Sequence, residues 1–169
     1  MKKLSKEKGF TLVELVVVIA IIGVLAAILV PSMLNYVKKS RLKTANSNAK
    51  TAYNAAMNYV ADQEINGVSV ESLFSGSGRK FNAGFVYAKV NHLNDGDEYV
   101  GEALRENGKE AGVFSIFYTK LNNNQKAVVA HWKKTPTDEM LGQYPDAISW
   151  DNWKTNHGSF NFGVYQKPV

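Results

Sequence analysis

Cysteine is missing from all 169 residues. No disulfide, thiolate metal site or lipid-carrying cysteine is therefore open to this chain. Proline is scarce, at four residues, and the three histidines, His92, His131 and His157, are too far apart in sequence to form a metal-binding motif. Positive charge is limited: the net charge is +5, and Lys2, Lys3, Lys6 and Lys8 against Glu7 place +3 of it in the first nine residues. The remainder is too little to argue for a nucleic-acid partner. Charge of either sign almost vanishes next, because Glu14 is the only ionisable side chain from Phe10 to Pro31. Overall composition, 45% hydrophobic and 21% charged, is that of a folded chain and excludes a disordered one.

What is present is a long apolar run. Leu15 to Val30 reads LVVVIAIIGVLAAILV, sixteen uncharged residues. A helix of about 20 such residues, rising about 1.5 Å each, matches a hydrocarbon core about 30 Å thick. The sequence predicts a membrane span with its lysine-rich start in the cytoplasm and the bulk of the chain outside. A secretory signal would need a small-x-small cleavage site near Val30, where Pro31-Ser32-Met33 stands instead. A plain anchor gives no reason for Glu14, since a carboxylate in an apolar span costs on the order of 2–3 kcal/mol centrally and less near an end. A cut after Gly9 would create the missing cation as a free α-amine on Phe10. That amine can pair with Glu14 one turn along its own helix. Alternatively the amine of a neighbouring chain neutralises Glu14 and fixes the axial stagger between packed helices.

The segment KGFTLVELVVVIAIIGVLAAILVP resembles the N-terminus of type IV pilins and of the pseudopilins that share it. It has a short basic leader, Gly at the cut, Phe first in the mature chain, Glu fifth and Pro twenty-second. The resemblance implies removal of residues 1–9 by a prepilin peptidase/methylase acting between Gly9 and Phe10, and N-methylation of Phe10. It implies an assembly role for Glu14, and for Pro31, near which the helix loosens on assembly. The chain would be held in the cytoplasmic membrane, C-terminal domain outside, and then polymerise with other pilin subunits into an extracellular filament for adhesion or motility. A pseudopilin of a type II secretion or DNA-uptake machine is the alternative within the superfamily. From a different class, a membrane-tethered enzyme or a membrane-anchored carbohydrate-binding protein would use the span as an anchor alone and keep Met1. The pilin resemblance implies a structural protein and not an enzyme, with no cofactor or metal.

Beyond the span, Leu42, Ala45, Ala49, Ala52, Ala56 and Tyr59 recur at spacings of three and four. They form one helical face, so a single helix is expected from Phe10 to Gln63. The expected organisation is a leader (1–9), a transmembrane and filament-core helix (10–34), the outer half of that helix (35–63) and a globular head (64–169). Lys38, Lys39, Arg41 and Lys43 read as a solvated lipid-headgroup flank, the alternative being pairing with acidic groups on adjacent subunits.

The head reads as α+β: a small antiparallel sheet laid on the outer half of the long helix. Phe85 to Val90 is an expected strand, and Gly96 to Asn107 a short helix capped by Asp97. Gly112 to Lys120 and Gln125 to Lys133 suggest a hairpin, and Ser159 to Tyr165 a final strand, with Thr135 to His157 irregular. Where many Gram-negative pilins close a C-terminal loop with a disulfide, the last strand and its packing must serve here. Asp95 to Glu98 supplies oxygen ligands suited to Ca²⁺ but lacks the spacing of an EF-hand loop. Asp138, Glu139, Asp146 and Asp151 supply carboxylates without any signature of hydrolysis. Trp150 and Trp153, following Pro145 in a loop-like stretch, are the expected exposed aromatics for contact with a surface or carbohydrate receptor.

Overall fold

The computed structural model describes residues 9–75, 79–82, 84, 86–88, 94–106, 112–121 and 125–167. The leader other than Gly9, most of the Ser75–Gly78 loop, His92 and the hairpin residues 122–124 lie outside the described residues. The chain divides into two compact units, one ending at Lys38 and one beginning at Lys39. Helix α1 (Leu12–Ile65) contributes to both. In the first unit every side chain from Leu12 to Lys38 is exposed. Gly23 and Pro31 lie within the helix and do not end it.

In the second unit α1 is followed by α2 (Val70–Phe74), β1 (Val86–Tyr87), α3 (Asp95–Glu106), β2 (Val113–Lys120) and β3 (Lys126–Lys133). The short strand β4 (Gly142–Tyr144), helix α4 (Trp150–Asn156) and a 3₁₀ turn (His157–Ser159) complete it. The strands form one antiparallel sheet in the order β1-β2-β3-β4. The architecture is the expected α+β one of a long helix and a four-stranded antiparallel sheet.

The alanine stripe explains how helix and sheet meet. Leu42, Ala45, Ala49, Ala52 and Ala56 are buried, Val60 closes the stripe and Tyr59 is half-buried beside it. Small side chains let a strand backbone touch the helix backbone: a Cβ on Gly142 would stand 2.0 Å from the Ala45 carbonyl oxygen. Only glycine fits there. Asn46, next on α1, fastens the same strand by accepting from the Gln143 amide (3.1 Å), and the segment after it by donating to the Ile148 carbonyl (2.8 Å).

Because strand side chains alternate between faces, register sorts the sheet into rows. Phe114, Trp132 and Gly142 pair across β2, β3 and β4 on the helix side, and Ser115, His131 and Gln143 form the next row, facing away. Residues 160–167 lie against that outer row. The Gln143 side chain donates to the carbonyls of Asp146 (2.9 Å) and Gln166 (2.8 Å), and its Oε1 accepts from the Gln166 amide (2.7 Å). His131 Nδ1 accepts from the Gly163 amide at 3.0 Å, which leaves Nε2 protonated to donate to Gln143 Oε1 at 2.9 Å. This requires a neutral imidazole, and burial pushes His131 down to about 4. Tyr165 donates to Asp146 at 2.5 Å, and Asn152 donates to the Lys167 carbonyl at 3.2 Å. These bonds clasp the C-terminal segment without sulfur.

Several expectations are corrected. The segment Ser159 to Tyr165 is not a strand: Ser159 ends a 3₁₀ turn, Gly163 turns the chain at φ +80°, and Val164 is 55% exposed. The fourth strand is β4, inside the stretch expected to be irregular, where α4 also forms with Ser149 capping it through the Asn152 amide. Of the expected strand from Phe85 to Val90, Val86 and Tyr87 are paired, and Phe85, Lys89 and Val90 lie outside the described residues. Arg41 is not simply a headgroup flank, since its Nη2 donates to both oxygens of Asp138 at 3.1 Å within the head.

Nor does Asp97 cap α3, which begins two residues earlier. Asp97 sits in the first turn with no exposed surface, its Oδ2 accepting from the Asn82 amide (2.8 Å) and side chain (2.7 Å). Its Oδ1 has no partner among the described residues. Asp95 pairs instead with Lys80 at 2.5 Å, and among the described residues no three metal-ligating side chains converge. Burial raises Asp97 to about 6, against the opposing Asn82 bonds and Arg79. A raised acid contributes stability fully below its unfolded value and loses it as pH rises through the folded value. Asp97→Asn is therefore expected to raise the melting temperature of the detergent-solubilised chain at pH 7 by about 3 °C or more. The advantage should vanish near pH 4. Equal melting temperatures at pH 7 would refute the cost assigned to the buried charge.

Candidate functional site

The start of α1 is built by Thr11 and Glu14. The Thr11 amide and hydroxyl both donate to Glu14 Oε2, at 2.8 and 2.7 Å, and the Glu14 amide donates back to the Thr11 hydroxyl at 3.3 Å. This reciprocal arrangement is a capping box, which satisfies amide groups that the first helical turn leaves unpaired. An N-cap of this kind is worth about 1 kcal/mol. Thr11 escaped the sequence reading, although its signal, Thr-x-x-Glu immediately before an apolar run, was present. Among the described residues no cation pairs with Glu14. The carboxylate is thus fixed in direction, at the end of the helix where Phe10, 84% exposed, enters it.

From this anchor the helix presents an unbroken apolar surface. Leu15, Ile19, Ile22, Leu25 and Leu29 are each more than half exposed. The helix is long and apolar enough to cross a membrane, near the N-terminus, and none of its apolar window is buried within the protein. Covering each large aliphatic side chain is worth about 1.5–3 kcal/mol, so this surface calls for lipid or for neighbouring helices. Packing inside the chain does not explain the glycines, because a Cβ at Gly9 or Gly23 would meet nothing within 4 Å.

The structure brings Gly9, Phe10 and Glu14 together at the helix start and leaves Pro31 seventeen residues further along the helix. The tryptophans are placed differently from expectation. Trp153 is 3% exposed, its indole donating to the Glu139 carbonyl at 3.2 Å, with His157 stacked 4.4 Å from its ring. Trp150 is half-buried, stacks on Trp153 at 5.1 Å and has Lys154 over its ring. Formation of α4 turns Trp153 into the core, so the pair offers no shared exposed face. The carboxylates are likewise engaged: Asp138 with Arg41, Asp146 with Tyr165, and Asp151 with Lys154 at 2.8 Å.

The family described as prokaryotic N-terminal methylation motif matches residues 4–30. The type IV major fimbrial protein FimA of Dichelobacter nodosus is 28% identical over 151 residues, covering 89% of this chain and 85% of FimA. The type IV major pilin protein PilA of Myxococcus xanthus is 37% identical over 59 residues, 35% of this chain and 27% of PilA. Type II secretion system core protein G of Vibrio cholerae is 37% identical over 65 residues, 38% of this chain and 44% of that protein. The matched segment therefore spans about a quarter of PilA and less than half of protein G. No solved structure matches the chain.

Proposed function

The chain belongs to the type IV pilin family, and from that premise we propose that it is the structural subunit of a type IV pilus. It is cut between Gly9 and Phe10, methylated on Phe10 and polymerised through its N-terminal helix. Before assembly the apolar half of α1 lies in the cytoplasmic membrane with the head outside, and afterwards it forms the core of a surface filament. Exchange of lipid for neighbouring helices keeps its apolar side chains covered throughout. Pro31 removes one backbone bond from the span and supplies a point at which the helix loosens on assembly.

The observation that carries this reading is Glu14: one carboxylate, held in a fixed direction by Thr11, on a stretch of helix from Leu12 to Val37 that is otherwise uncharged and exposed throughout. An α-amine released at Phe10 of a neighbouring subunit neutralises it and sets the stagger between helices. Mass spectrometry of the N-terminal peptide is expected to show loss of residues 1–9 and one added methyl group, with filaments in sheared surface fractions. A mature chain that keeps Met1 and yields no filament would overturn the proposal. Similarity to the secretion protein of Vibrio cholerae favours a second reading, a pseudopilin. Long surface fibres distinguish the pilus from the short piston of a secretion machine.

A further inference from the structure

Between α1 and α3 the head opens into a groove of about 470 Å³, lined by Thr51, Asn54 and Asn58 on one side and Tyr99, Glu102 and Glu106 on the other. Its α3 wall is acidic. Glu98, Glu102 and Glu106 are all exposed and four residues apart, so they stand in one row and repel one another along the helix. Arg105, the cation beside them, is turned inward onto the Ala88 carbonyl. Tyr99, 41% exposed, adds a flat wall on which an aliphatic stem can lie.

The complementary feature is on α1 itself. Lys39, Lys43 and Lys50 are exposed and follow one stripe of the helix. Lys39 and Lys43 are separated by four residues, as Glu102 and Glu106 are, and so by about 6 Å along each helix axis. Among the described residues no ion pair joins the two rows within one chain. We infer that the groove receives the Lys39–Lys43 face of α1 from a second copy of this chain. The inference rests on the filament reading, in which parallel helices present each head with the helices of displaced neighbours. The groove lies at the level of residues 51–58 of α1, so the incoming lysines belong to a copy shifted about 20 Å toward the C-terminal end of the helix. Pairing of Glu14 with an amine four residues lower gives a stagger of about 6 Å per step in the same direction. Three to four such steps supply the shift.

The test is charge reversal in the full-length chain. Glu102→Lys with Glu106→Lys is expected to be cleaved and methylated normally but to lower the yield of pelleted filament about tenfold or more, since like charges then face each other. Adding Lys39→Glu and Lys43→Glu to the same chain is expected to restore the yield. The milder Glu102→Gln with Glu106→Gln should fold as the parent does, assemble less well and lose the salt sensitivity of assembly. Wild-type yield from the reversed chain, or failure of the compensating pair to rescue a chain whose melting temperature is unchanged, would overturn the groove contact. Absence of filaments from the cleaved wild-type chain would defeat the filament reading itself, and the contact with it.

Discussion

Glu14→Ala is expected to insert into the membrane as the wild type does, and to lose more than about a hundredfold in filament yield, because it strands a neighbour's amine in an apolar bundle. Two companions separate charge from cap. Glu14→Gln keeps an acceptor suited to the capping box with Thr11 but carries no charge, so its yield should fall as far as that of alanine. Thr11→Ala keeps the charge and loses the cap, worth about 1 kcal/mol, and should fall only about fivefold. Sedimentation of sheared filaments, normalised to cleaved subunit in the membrane, reads all three. Normal assembly by Glu14→Gln alongside failure of Thr11→Ala would show that the carboxylate serves only to start the helix.

The second large effect is expected at Gln143. Its side chain holds His131, Asp146 and both backbone groups of Gln166. In Gln143→Leu all of them lose their partner, and the His131 ring nitrogen, buried, is left unpaired at about 1–3 kcal/mol, with smaller losses at the half-buried Gln166 groups. Unfolding of the detergent-solubilised chain should move down by about 10 °C, and limited proteolysis should cut first within residues 160–167. A fall of under about 2 °C with no cut there would refute the clasp. The same clasp responds to acid. The folded-state value of His131 lies below its unfolded one, so its contribution is complete above about pH 6.5 and is lost as pH falls toward 4. Lys133, the charged group acting on the imidazole, opposes protonation further, and the rings of Phe117 and Phe162 offer it no counter-charge. Over much of that range Asp97 changes stability in the opposite sense. The whole head therefore responds weakly to mild acid while its tail loosens.

The parts legible in the sequence were those with a long period or a chemical singularity. The alanine face of α1 and the β2–β3 hairpin repeat often enough to fix both element and orientation. Glu14 stood out because nothing else in its surroundings ionises. By contrast, β4 is three residues long and α4 seven, too short for any periodicity to register. Phe160, Phe162 and Val164 alternate like a strand, yet the turn at Gly163 and the bonds to His131 and Gln143 set that segment's path. The clasp depends on His131 facing Gln143 across β3 and β4, a register unknown until the strands are paired. Asp97 was misread because caps and first-turn acids differ by only two positions in sequence.

The contact of Gly142 with Ala45 has a mechanical consequence. Where two backbones touch, there is no compressible layer of side chains between them, and sliding α1 by one residue would swing Ala45 about 100° away and drive another side chain into the strand. Tension reaching this stretch of α1 passes through peptide groups into the sheet. The head can be tugged without creeping along its own stalk.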